Sequence, residues 1–101
     1  MSEVTTAFQV ESDRWIPTGP LTMDSVATVL AASTEAPLPA TGVIDLERVE
    51  AVDSAGVALL LAWKRRAAAE GKPLAFAHLP SSLASLAQLY GVEELLTAEP
   101  V

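Results

Sequence analysis

The residues best placed for chemistry stand where a polar turn meets the longest apolar run of the chain. Asp53, Ser54 and Gly56 belong to this turn, and the run covers nine residues, 55–63. A serine between a strand and a helix is the position of the nucleophile in one class of hydrolases. That motif needs a glycine two residues before the serine, and Val52 stands there instead. The turn therefore does not predict a hydrolase.

The single histidine and the neighbouring carboxylates offer little further support for catalysis. His78 is the only histidine, which excludes a site built from several histidines, and it falls in a predicted strand. Its expected place is the end of that strand, with the polar edge of the ring in water. The carboxylates in residues 47–50 and 93–94 have no acid, base or ligand residue beside them in the sequence, so we interpret them as surface charges.

No phosphate-binding loop or thiol chemistry is predicted either. Gly71 and Lys72 are followed by Pro73 rather than a hydroxyl residue, and Arg66 replaces the first glycine of such a loop. The chain has no cysteine, which removes disulfides and thiolate sites. We therefore predict a protein that is not an enzyme, with no catalytic residue, no cofactor and no metal.

Composition favours one globular domain spanning residues 1–101, because half of the residues are hydrophobic and 19% are charged. Thirteen acidic and six basic residues give a net charge of −7, which disfavours nucleic acid and anionic lipid as direct partners. The N-terminal residues do not resemble a signal peptide, and the apolar run is shorter than the roughly 18 residues that span a bilayer. These features indicate a cytoplasmic protein.

Strands and helices alternate along the predicted chain. Pro17 makes the second strand an edge strand at best, since proline has no amide hydrogen. Ser54 or Asp53 is the expected N-cap of the central helix, and Gly71 its end. The predicted strands are 7–12, 13–18, 43–46 and 72–79, and the predicted helices are 23–33, 54–70, 81–90 and a last turn at 92–96. This order predicts an α/β fold with a mixed sheet.

The central helix is apolar nearly all round, so it needs a second cover besides the sheet. Val57, Leu60 and Leu61 form the stripe expected against the sheet, leaving Leu59 and Trp63 partly on the other side. Either another helix covers those two residues, or they face a protein partner. Periodicity does not separate these alternatives.

Two polar features at the ends of this helix also have two interpretations each. Ser54 could cap the helix, which the chemistry of the turn favours, or hold an anion that Asp53 would repel. The basic residues 64–66 could be a solvated helix end or could face an acidic patch on a partner.

The stretch from Ile44, "IDLERVEAVDSAG", closely resembles the hallmark of the STAS domain family. That hallmark reads hydrophobic-D-L-x-x-V-x-x-hydrophobic-D-[ST]-x-G. Within the family, "GVALLL" and "LAQLYGVEELL" are most similar to the MlaB-type subunit of phospholipid-transport ABC complexes. The matching positions are Ile44, Asp45, Leu46, Val49, Val52, Asp53, Ser54 and Gly56.

The resemblance implies a STAS fold, a mixed sheet of four to five strands with helices mainly on one face. It also implies a non-enzymatic role, in which the turn and the helix after it bind the cytoplasmic ATPase subunit of the transporter. The chain would then lie at the inner membrane only through that partner. The residues expected at the contact are Asp53, Ser54, Ala55, Gly56, Leu59, Trp63 and Tyr90.

The alternative within the same family is an antagonist of an anti-sigma factor. There the partner is a kinase that phosphorylates the serine matching Ser54, although Ala55 stands where many antagonists carry a second serine. An isolated chain could also form a homodimer through the same helix, because its apolar face would otherwise meet water.

Overall fold

A computed structural model describes residues 8–11 and 13–97 of the chain. It confirms the α/β class with a mixed sheet. The strands are β1 (Phe8–Glu11), β2 (Arg14–Pro17), β3 (Gly19–Leu21), β4 (Val43–Asp45), β5 (Val49–Val52) and β6 (Ala75–Ala77). The helices are α1 (Val26–Thr34), α2 (Ser54–Ala69), α3 (Ser81–Leu89) and α4 (Glu93–Thr97).

Four strands form the main sheet in the order β1-β2-β4-β6. β1 is antiparallel to β2, whereas β2, β4 and β6 run parallel to one another. Parallel neighbours need a crossover, and α1 and α2 lie in the connections that supply it. A second, two-stranded parallel sheet pairs β3 with β5.

The prediction of an edge strand around Pro17 is wrong, because β2 pairs with β1 on one side and with β4 on the other. Pro17 is the last residue of β2, where a missing amide hydrogen does not interrupt the pairing along the strand. β3 and β5 were not predicted from the sequence. Their pairing is supported by the Gly19 amide, which donates to the Arg48 carbonyl at 3.1 Å, a contact between distant segments.

The core lies on the face of the sheet that bears Trp15, Ile44 and Phe76. These residues are register partners on adjacent parallel strands, so their side chains point to the same face. The helices pack over them, with α2 contacting α1, α3 and α4. The buried core side chains of α2 are Val57, Leu59, Leu60, Trp63 and Ala67.

Helix α2 ends as the sequence predicts. Gly71 adopts a φ of 68°, a left-handed conformation that glycine accepts without strain. The amides of Gly71 and Lys72 donate to the carbonyls of Ala68 and Ala67, at 3.1 and 2.9 Å. Within residues 8–11 and 13–97, no helix has the length and apolar character needed to cross a bilayer.

Candidate functional site

The turn before α2 is organised by Asp53, which is the N-cap. One carboxylate oxygen, Oδ1, accepts from the amide of Ala55 at 2.8 Å. The other, Oδ2, accepts from the amide of Met23 at 3.0 Å. Asp53 therefore satisfies a free amide of its own helix and also binds the loop before α1, which no local sequence pattern indicates.

These contacts keep the Asp53 carboxylate ionised. The hydrogen bond from the Met23 amide is the largest influence and lowers the pKa; desolvation opposes it, and bonds from Ala55 and Gly56 add to the lowering. The result is a pKa below the ordinary range of an aspartate. A fixed negative charge therefore stands next to Ser54 at neutral pH.

Ser54 is the first residue of α2 rather than its cap, so the capping role that the turn chemistry favours for Ser54 is wrong. Its side chain is exposed. Within the described part of the chain, the hydroxyl has no hydrogen-bond partner. Because Asp53 performs the capping, this hydroxyl is available to another molecule.

Gly56 is needed for packing within the chain. A Cβ at this position would lie 2.6 Å from the carbonyl oxygen of Leu21, closer than such atoms approach in folded proteins. The absence of a side chain thus lets α2 lie directly on β3. Gly56 is buried, so its expected contact with a partner is wrong and the close backbone approach takes place inside the molecule.

Leu59 and Trp63 were expected at the partner contact, and this expectation is also wrong. Their exposed fractions are 2% and 1%. The rings of Trp63 and Trp15 meet edge to face at a centroid distance of 5.6 Å, and the Trp63 Nε1 donates to the Ser33 Oγ at 2.9 Å. Ser33 belongs to α1, so a neighbouring helix supplies the second cover that α2 requires.

The opposite side of α2 remains accessible. Ser54, Ala58 and Arg65 are exposed there, and Leu61 and Ala62 are partly exposed. These five positions recur at the spacing of one helix face, and we call them the docking face. Ala55 is partly buried at the rim of this face.

Met23 extends this surface, although the sequence analysis did not identify it. Its side chain is 77% exposed, the largest value among the bulky hydrophobic residues of the described chain. Its amide is bonded to Asp53, so it lies beside the start of α2. The sequence shows only a methionine in a short polar segment, and this does not predict that Met23 lies beside the start of α2.

The basic segment 64–66 divides into internal and external residues. The Lys64 Nζ donates to the Leu74 carbonyl at 2.6 Å. Arg66 donates to the carbonyls of Ser33 and Ala36, at 2.9 and 2.8 Å, which fixes the end of α1. Arg65 is the exposed residue of the three, so any ionic contact between this segment and a partner would be made by Arg65.

Tyr90 is exposed, with 51% of its surface accessible, directly after the last residue of α3. Leu89 and Leu95 nearby are 76% and 59% exposed. Ser54 begins a different helix, and no hydrogen bond or ring contact among the described residues links it to Tyr90. The expected contact of Tyr90 with a partner stays a prediction.

His78 directly follows β6 and adopts a φ of 56°, unusual for a residue other than glycine. Its Nδ1 lies 3.0 Å from the Asp45 Oδ1, while the Arg14 Nη1 lies 3.1 Å from the Asp45 Oδ2. Burial, the largest influence, raises the pKa of Asp45, but the Glu47 amide bond, the His78 contacts and the Arg14 charge together lower it. His78 is thus paired with Asp45 rather than with Ser54.

The alternating fold and the Asp-capped turn that leads into α2 define a STAS domain. A family model described as "Mlab, STAS domain" matches residues 8–97. The chain therefore belongs to the STAS domain family, in its MlaB type, and this family is generally non-catalytic. No curated protein matches the chain.

Proposed function

We propose that this chain is a non-catalytic STAS subunit that binds the cytoplasmic ATPase subunit of a phospholipid-transport ABC complex and regulates or stabilises it. Membership of the STAS family supports a non-catalytic binding domain, and the docking face supports binding through the exposed side of α2. The chain would reach the inner membrane only through the ATPase. It would need no cofactor, since its contribution is a surface.

The single observation that carries this proposal is the state of Ser54. Its hydroxyl is exposed and has no partner within the described residues, at the start of a helix whose other face is core. A group in that position can hydrogen-bond a partner without disturbing the fold. The helix behind it packs against α1, α3 and α4, so it offers a rigid surface.

The rest of the docking face fits a partner that approaches closely. Ala58 and Ala62 are small and lie along the middle of the face, so another helix or loop can pack directly on the backbone of α2. Met23 supplies an adaptable apolar side chain at one end. Arg65 supplies a positive charge near the other end, where it can set the orientation of the partner.

The same observation supports the second candidate, an anti-sigma-factor antagonist controlled by a kinase. An exposed Ser54 hydroxyl is also accessible for phosphorylation. The neighbouring Asp53 carboxylate, held ionised by its hydrogen bonds, would repel the added phosphate. Because an aspartate before the serine is part of the hallmark of the whole family, this repulsion does not separate the two partners. The match to the MlaB-labelled family model is what supports the ATPase subunit as the first candidate.

The test is to tag the chain in its native cell, extract the membranes gently and identify the co-purifying proteins by mass spectrometry. We expect an ABC ATPase together with its membrane subunits, and we expect Ser54→Arg to abolish this association. A soluble kinase-like protein, with one phosphate added to Ser54, would support the antagonist instead. Unchanged association of the ATPase with Ser54→Arg would contradict binding through the docking face.

A further inference from the structure

We propose that Asp45, Glu47 and His78 form a binding site for one divalent transition-metal ion. Each residue offers one ligand atom, and these atoms all lie within 4.8 Å of one another. The site does not include any residue of the docking face, so the proposal does not rest on the proposed function.

The topology of the sheet brings the three side chains together. β4 and β6 are parallel neighbours, and Asp45 at the end of β4 is the register partner of Ala77 at the end of β6. The next residue, His78, therefore leaves the sheet beside Asp45. Glu47 lies in the turn just after β4, two residues from Asp45. The sequence analysis treated Glu47 as a surface charge without a ligand neighbour, because His78 is distant in the sequence.

One distance within the cluster already matches that between two ligands of a single ion. The His78 Nδ1 and the Asp45 Oδ1 lie 3.0 Å apart. Two adjacent ligands of an octahedral ion with bonds of about 2.1 Å are separated by about 3.0 Å, so an ion can bind both atoms after a small rotation of the ring. Glu47 and His78 are exposed and can make that adjustment, whereas the buried Asp45 is held in place.

The donor set indicates the class of metal. One imidazole nitrogen with two carboxylate oxygens suits Mn²⁺, Co²⁺, Ni²⁺ or Zn²⁺, and the exposed side leaves positions for water. Arg14 holds the second oxygen of Asp45, and the Glu47 amide donates to the first at 2.9 Å. Such bonds orient a ligand carboxylate, although the Arg14 charge lowers the affinity for a cation.

Binding requires that the ion take the place of the contact between the His78 Nδ1 and the Asp45 Oδ1. The test is calorimetric titration of the full chain, without a histidine tag and after treatment with a chelator, using Ni²⁺. We expect saturable binding of one ion per chain, at least tenfold weaker in His78→Gln and Glu47→Gln. The matched control is Glu50→Gln, which changes an exposed glutamate outside the cluster. This variant should bind Ni²⁺ as tightly as the original chain does.

A second measurement locates the ion. Sub-stoichiometric Mn²⁺ added to isotopically labelled protein should broaden the amide resonances of residues 45–48 and 77–79 before any others, because paramagnetic broadening falls steeply with distance. Broadening centred elsewhere on this acidic chain, equal Ni²⁺ binding by His78→Gln, or no heat of binding at millimolar Ni²⁺ would each overturn the proposal.

Discussion

The middle of the docking face differs from the inner face of α2 less in polarity than in the size of its side chains. The inner face carries Leu59, Leu60 and Trp63, all at 2% exposure or less. The docking face carries Ala58 and Ala62 at its centre. Both sets are apolar, so a hydrophobic pattern alone describes a helix with no preferred side.

This difference shows why the sequence interpretation placed Leu59 and Trp63 at the partner contact. Val57 and Leu60 are buried as expected, whereas Leu61, assigned to the same stripe, is partly exposed. Whether a helix or a partner covers Leu59 and Trp63 was left open. Trp63 is drawn inward by two distant residues, Trp15 and Ser33, which provide a ring contact and a hydrogen-bond acceptor. Such contacts depend on how α1 and β2 are placed in space.

The largest expected effect is on the inner face. Trp63→Ala should lower the free energy of unfolding by about 3–5 kcal/mol, because it opens a cavity beside Trp15. Trp63→Phe keeps part of the packing and loses the bond to Ser33, so it should be less harmful. Chemical denaturation followed by circular dichroism measures both. A loss below about 1 kcal/mol for the alanine variant would place Trp63 outside the core.

A smaller loss is expected where α2 rests on β3. Gly56→Ala should destabilise the fold by about 1–3 kcal/mol, because the new Cβ collides with the Leu21 carbonyl. Since that atom belongs to the backbone, the strand itself must move. Ala58→Gly on the docking face is a useful comparison, since its only expected cost is helix propensity, about 1 kcal/mol. If Gly56→Ala were neutral in denaturation, α2 and β3 would not be in direct contact.

Loss of the cap should have a modest effect that depends on pH. Asp53→Ala removes the acceptor for the Ala55 and Met23 amides. Because the pKa of Asp53 is lowered in the folded state, its contribution is complete above the ordinary aspartate pKa and is lost as the pH falls through the lower folded value. The stability difference between the original chain and the variant should therefore shrink below about pH 4. A difference that stays constant down to pH 2 would contradict the ionic cap.

The elements that the sequence predicted correctly are those with local signals. α2 and α3 have helical spacing, and each is followed two residues later by a glycine with positive φ, Gly71 and Gly91. β3 lacks a local signal, since Gly19 and Pro20 are poor strand residues, and β3 and β5 are defined by their mutual pairing. The pairing of His78 with Asp45 and of Met23 with Asp53 was missed for the same reason, because each joins distant segments.

The smallest expected effect on stability is on the docking face. Ala62→Arg should change the free energy of unfolding by no more than about 0.5 kcal/mol, because the side chain can extend into solvent. Denaturation of this variant beside Trp63→Ala compares adjacent positions on opposite faces of the same helix. A loss as large as that of Trp63→Ala would show that Ala62 is part of the core.

The central claim is that a partner binds the face of α2 that the core does not use. Its most direct test is the amount of ATPase subunit that co-purifies from native membranes with three tagged chains: the original, Ala62→Arg and Ala32→Arg. Ala32→Arg is the control, because it makes the same change at an exposed alanine of α1. We predict that Ala62→Arg loses the ATPase while Ala32→Arg and the original chain retain it equally. Retention of the ATPase by a folded Ala62→Arg variant would contradict the claim.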